Sequence, residues 1–353
     1  MPLKAKMKTA LILILVGVII FQLIQPRIAK NTCDRVIQHG YPCEVHTVTT
    51  KDGYLLTMFR IPGSPLMASG DEKEISTKPP VLLMHGTQCS SDMWVLNGPN
   101  DGLPYLLANA GYDVWIGNIR GNYIHANQNR PNVGSRGILC HVKARLPNML
   151  APIFGRPGIL ATIFGSLQGN SFGNLIRTVF PSVCRQNEAL CVSYLQNVVG
   201  QDSPYINRTL LPEFFSTYPA GTSPRLTLHF FQLVNTCQFR AYDFGPNQNL
   251  QKYGKTEPPA YDLSKIKLKS PIELYFSDND YLATIEDVRH LWKIMGDQVS
   301  LHRLNLSKYN HFDFVLSENV KTIINDCVVD KMQEYEGRSF NGSLCNNFRN
   351  KAF

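Results

Sequence analysis

Metal-type cysteine pairs are missing from this sequence. None of its nine cysteines stands in C-x-x-C spacing, so no metal centre is expected, and disulfides in an oxidising compartment are expected instead. Cys184 and Cys191 are close enough in the chain to be one pair, and an odd count leaves at least one thiol over. Acidic residues are absent from the start: residues 1–30 carry Lys4, Lys6, Lys8, Arg27 and Lys30 with no Asp or Glu. Those five charges take most of the formal net charge of +8 and leave only +3 for the rest. No basic stripe interleaved with aromatics follows, which argues against nucleic acid as a partner. Repeats and low-complexity tracts are lacking too. With 44% hydrophobic and 18% charged residues, the composition is that of a folded protein.

What the basic start does precede is an apolar run from Thr9 to Ile24. A charged stretch followed by such a run predicts a secretory signal, or a signal anchor retained in the membrane, within residues 1–30. The body would then be secreted, lysosomal or membrane-anchored. The acceptor triplets at Asn207, Asn305 and Asn341 are expected glycosylation sites in that compartment.

The pattern beyond residue 30 alternates strands and helices. Two β-rich runs within 44–61 flank Lys51-Asp52-Gly53 and predict a hairpin. The run 79–86 suits a buried strand, Leu103, Leu106, Leu107 and Ala110 recur at helical spacing up to Gly111, and 113–121 is the next strand. Strand, helix, strand predicts a parallel βαβ unit. From about 141 to 255 the chain turns rich in Pro, Gly, Phe and Leu and predicts a helical cap. The α/β rhythm returns with a strand at 271–276. A helix follows with Thr284 and Asp287 at capping spacing and Ile285, Val288, Leu291, Trp292 and Met295 on one face. A last strand at 299–306 precedes a final helical segment. The expected division is 31–140 and 256–353 as two parts of one α/β core, with 141–255 as the cap.

Open α/β sheets carry reactive groups in loops at the carboxyl ends of strands. Three such loops hold candidates: Thr87 after His85-Gly86, Asp280, and His311. The glycine permits a tight turn that can present the Thr87 N–H as an oxyanion donor. An acid and then a histidine just beyond successive strands follow the order Ser…Asp…His of the α/β-hydrolases. Asp278 competes with Asp280 for the acid's place. Each residue alone could also be an ordinary loop residue.

Several blocks closely resemble the acid lipases, the group that holds gastric and lysosomal acid lipases and many insect relatives. They include "GYPCEVHTVTTKDGYLLTMFRIPG" (40–63), "VLLMHGTQCSSDMWVLNGPNDGLPYLLANAGYDVWIGNIRGN" (81–122), "YPAGTSPRLTLHFFQ" (218–232), "DNDYLATIEDV" (278–288) and "YNHFDF" (309–314). The resemblance implies an α/β-hydrolase parallel sheet with a helical cap and a Ser-His-Asp triad that cleaves esters of neutral lipids at a lipid–water interface, without a cofactor. It places Asp280 and His311 at the acid and base, and Thr87 at an oxyanion position usually held by an apolar residue.

The resemblance also implies a gap. After Asn122 the family continues to a strand ending in a G-H-S-Q-G elbow, a helix and a further strand before the cap begins. Here "HVKARLPNMLAPIFG" (141–155) already resembles the cap's start. Two central strands, about 60–80 residues at ordinary element lengths, are therefore expected to be absent, with the nucleophile serine and the second oxyanion donor. "GSLQG" (165–169) only looks like the elbow, because Ser166 sits one place too early; Ser90, Ser91 and Ser135 are no better placed. The expectation is a lipase-family chain without triad turnover. Two alternatives are a non-catalytic lipid-binding or interaction protein, with Phe154, Ile159, Leu160, Ile163 and Phe164 lining an acyl site, and a defective splice or gene-model product. Lipid preference and oligomeric state are not legible in the sequence.

Overall fold

A computed structural model describes residues 30–51, 53–65, 78–122, 126–127, 170–339 and 341–349. The N-terminal apolar run, Ser135, Cys140, "GSLQG" and the apolar residues 154–164 lie outside these. Among the described residues no helix is long and apolar enough to cross a membrane.

Short helix α1 (Thr32–Gln38) leads into strands β1 (Glu44–Thr49) and β2 (Leu55–Ile61), which pair antiparallel from Glu44↔Arg60 to Thr49↔Leu55. Gly53 turns the hairpin at φ +86°, a left-handed conformation that glycine adopts without steric cost. Strand β3 (Pro80–Met84), helix α2 (Leu103–Asn109) and β4 (Asp113–Gly117) form the expected βαβ unit, with β3 and β4 parallel. The two-residue strand β5 (Ala126–Asn127) adds to β2, and the sheet runs β1-β2-β4-β3.

A second sheet holds β6 (Ile272–Phe276) and β7 (Val299–Leu304) in parallel, with β8 (Phe348–Arg349) antiparallel on β7. Helix α8 (Ile285–Met295) crosses between β6 and β7; the Thr284 hydroxyl caps it by accepting from the Asp287 N–H. Met295 is buried and Leu291 packs beside it, as the spacing predicts, but Trp292 is 39% exposed. One residue on from Leu291 is a rotation of about 100°, which carries the indole to the edge of the apolar stripe.

Between the sheets, helices α3 (Asn170–Gln186), α4 (Glu188–Val199), α5 (Leu211–Thr217), α6 (Pro224–Thr236) and α7 (Pro246–Tyr253) follow one another with no ladder strand among them. This matches the helical reading of that stretch. Cys184–Cys191 ties α3 to α4. Cys33–Cys43 and Cys327–Cys345 close the other two disulfides, and Cys89 and Cys237 are free thiols.

The expected interruption is visible in the pairing. Among the described residues β3 pairs with β4 alone, β6 pairs with β7 alone, and no ladder joins the two sheets. The described residues thus form an α/β arrangement consistent with a partly truncated α/β-hydrolase fold, their strands in two separate sheets. Among the described residues β3 and β6 do not pair with each other. One face of the first sheet is well packed, with Phe59, Ile61, Leu83, Val114 and Ile116 in a single core cluster. On the opposite face Leu82 and Met84 are 57% and 44% exposed, although parallel strands are ordinarily covered on both sides.

Candidate active site

Asp280 and His311 come together. Asp280 lies four residues past the end of β6, and His311 lies in the loop between β7 and helix α9 (Asp313–Leu316). His311 Nδ1 donates to Asp280 Oδ2 at 2.8 Å. A carboxylate accepts only, so this bond fixes the proton on Nδ1 and leaves the lone pair on Nε2. Asp280 is buried; its other oxygen accepts from the Leu282 and Ala283 N–H groups at 2.8 and 2.7 Å. These bonds orient the carboxylate. The His311 side chain is 36% exposed, and among the described residues no hydrogen bond engages its Nε2. Burial would lower its pKa, but the charge of Asp280 and the hydrogen bond to it reverse the sign and hold the imidazole above its ordinary 6.5. Asp278, the competing acid, instead pairs with Arg303 at 2.6 and 2.8 Å.

A segment that the sequence did not flag brings the pair together. The Val199 carbonyl, at the end of α4, accepts from both the Tyr281 and the His311 N–H, at 3.2 and 3.4 Å. Asn310 Nδ2 donates to the Gly200 carbonyl at 3.2 Å, and Asn279 Nδ2 donates to the carbonyls of Gln201 and Lys308. Gly200 sits at φ +137°, and a Cβ there would stand 1.9 Å from the Asn279 carbonyl oxygen. Only a residue without a side chain lets the backbones meet.

The loop after β3 is held by a buried polar network. Asn118 Oδ1 accepts from the Ser91 N–H and its amide donates to the Thr57 carbonyl; Asn122 donates to the Cys89 carbonyl. Arg35 pairs with Asp92 at 3.0 Å and with Glu213 of α5 at 2.5 Å. His85 Nε2 accepts from the Ile119 N–H at 3.2 Å, so its Nδ1 carries the proton and donates to the Gly86 carbonyl at 2.8 Å. The Cys89 N–H reaches the same carbonyl. A trans peptide points its N–H opposite to its C=O, so pinning the Gly86 carbonyl also sets the direction of the Thr87 N–H. Thr87 itself is exposed, and among the described residues no hydrogen bond joins it to Asp280 or His311. The loops share apolar packing instead: Cys89 and Met93 lie in one cluster with Phe312 and Leu316, with Leu282 against it.

The three acceptor asparagines are at the surface, Asn207 half-buried and Asn305 and Asn341 exposed. Among the described residues no group of three or more His, Cys, Asp or Glu is gathered to hold a metal ion.

Gly169-Asn170-Ser171-Phe172-Gly173 satisfies G-x-S-x-G, four residues beyond the look-alike at Gly165. The elbow motif needs its serine on a sharp turn between a strand and the following helix. Here α3 already begins at Asn170, so Ser171 is inside its first turn.

A buried carboxylate that orients a histidine beyond successive strands of an α/β sheet has the geometry of an acid–base pair. Residues 32–98 match the model of a partial alpha/beta-hydrolase lipase region. The chain is 28% identical to Lipase 3 of Drosophila melanogaster over 402 positions, covering 94% of this chain and 100% of that protein. It is 29% identical to Lipase 1 of the same organism, covering 82% of this chain and 76% of that protein. To the gastric triacylglycerol lipase of Bos taurus it is 27% identical, covering 88% of this chain and 92% of that one. These likenesses are to lipases of the α/β-hydrolase kind. Within that class the chain is similar to acid-lipase-like proteins.

The alignment lengths carry a further fact. Ninety-four per cent of 353 residues is about 332, so about 70 of the 402 positions aligned with Lipase 3 face gaps in this chain. That agrees in size with the two strands and helices expected to be absent.

Proposed function

We propose that this chain is a lipase-family ester hydrolase by descent that keeps the acid, the base and one oxyanion loop but lacks the nucleophile elbow. Its substrate class is neutral lipid esters, triacylglycerols or sterol esters, met at a lipid–water interface in the secretory pathway. The observation that carries this reading is the His311–Asp280 pair at 2.8 Å, with no strand among the described residues joining β3 to β6. In the complete arrangement His311 would deprotonate serine, Asp280 would hold the imidazole, and the Thr87 N–H would receive the oxyanion. In this chain the serine oxygen that His311 would activate is absent, and triad turnover with it. Residues 31–140 and 256–353 act as the core, 141–255 as the cap, and Asn207, Asn305 and Asn341 as glycan acceptors.

The test is a serine-directed fluorophosphonate on the purified chain. No stoichiometric label is expected. One label per chain, mapped by peptide mass to Ser171 or any other serine, would show that a nucleophile is present and overturn the reading.

A further inference from the structure

The structure of the dyad points to a chemistry that does not need serine. Resting on the reading above, we propose that His311, oriented by Asp280, activates water directly and gives this chain a slow hydrolytic activity toward electron-poor esters. Three observations converge on it. Asp280 holds the ring through Nδ1, which favours the tautomer whose Nε2 accepts a proton. The Nε2 lone pair makes no hydrogen bond among the described residues, on a side chain 36% exposed, so it is left to accept a proton from water. Two backbone N–H groups and burial keep Asp280 in place as the imidazolium's counter-charge.

The step balances without any added reagent. His311 Nε2 takes a proton from water as the water oxygen bonds to the ester carbonyl carbon, and the C=O π pair moves onto oxygen. The tetrahedral species then expels the alkoxide, the C–O bond breaks, and the alkoxide takes the proton back from the imidazolium. Acid and alcohol leave, and the dyad is as it began. His311 is the catalytic residue and Asp280 the positioning one. General-base catalysis of this kind contributes about a hundredfold or more.

The experiment uses ethyl difluoroacetate, whose electron-poor carbonyl adds water readily and whose ethoxide leaves too poorly for direct displacement by imidazole. Acid release by the full chain is followed in a pH-stat, before and after fluorophosphonate treatment, beside His311→Gln and Asp280→Asn. The expected result is a rate at least tenfold above His311→Gln that survives fluorophosphonate, shows no burst, and levels off only above the ordinary imidazole pKa. Asp280→Asn lowers the rate and moves that plateau to lower pH, which loss of a merely structural contact would not do. Circular dichroism of the variants separates lost chemistry from lost folding, and if His311→Gln does not fold, Asp280→Asn and the pH profile decide. A rate equal to that of a folded His311→Gln overturns the proposal and leaves the missing-elbow reading intact. A rate abolished by fluorophosphonate overturns both, because a serine is then at work.

Discussion

At residue 200 the difference between hydrogen and methyl decides whether the dyad exists. Gly200 follows the carbonyl of Val199, which both Tyr281 and His311 reach by their N–H groups. An alanine would drive its Cβ to 1.9 Å from the Asn279 oxygen and 2.8 Å from Asn310 Cβ, at a φ that side-chain-bearing residues rarely adopt. Neither neighbour is a flexible side-chain end, so the backbone must move. Gly200→Ala should cost about 2 kcal/mol or more, read by denaturant unfolding. Where the variant still folds, the His311 titration followed by NMR should fall back toward 6.5 as Asp280 separates from the ring. An unchanged titration would mean that the 199–201 segment does not position the pair. The two partners themselves were legible in the sequence because each stands just beyond a predicted strand. Gly200 was not, since its role comes from residues 79 and 110 positions away. The choice between Asp278 and Asp280 was open for the same reason: the chain order cannot show that Arg303 takes the former.

The elements that hold the dyad meet at Asp313, the first residue of α9. Its Oδ2 accepts from the Asn310 N–H at 2.6 Å and from the Ser203 hydroxyl at 2.5 Å, which joins α9 to the segment after α4. Its Oδ1 is buried without a hydrogen-bond partner. Burial raises its pKa to about 6, against the lowering effect of Asn310 and Ser203. A carboxyl whose folded pKa lies above its unfolded value favours the fold while protonated. That stabilisation is complete below about pH 4 and is lost as pH rises through about 6, by about 3 kcal/mol at most. Asp313→Asn keeps the neutral form at all pH. Its unfolding free energy relative to the native chain should therefore rise between pH 4 and pH 7, and a parallel pair of pH–stability curves would refute the linkage. Elements of local origin were readable in the chain: the hairpin about Gly53, the βαβ unit, and the helix capped by Thr284. Elements made by distant pairing were not. Strand β8 is two residues long, and only its register with Arg303 and Leu304 defines it.

The molecule as a whole carries the mark of its missing strands on its surface. In a complete sheet the partners of β3 and β6 would lie between them; among the described residues no strand joins the two. Leu82 and Met84 of β3 and Ile272 of β6 are left 57%, 44% and 38% exposed. Open edges with apolar side chains are templates for pairing with another chain, and β3 has no Lys or Glu within it to prevent this. The gap was legible only through the resemblance to relatives, because no local pattern reports an element that is not there. The consequence is physical: the chain should self-associate at micromolar concentrations. Leu82→Lys should raise the monomer fraction, measured by sedimentation velocity and light scattering. At so exposed a position it should shift stability by no more than about 0.5 kcal/mol. Ile37→Lys supplies the control, since Ile37 is 60% exposed on α1 rather than on β3, and adds the same charge. If both variants raise the monomer fraction equally, the effect is general solubility and the β3 edge is not the contact. If only Leu82→Lys does so, association runs through the edge that the absent strands would have covered.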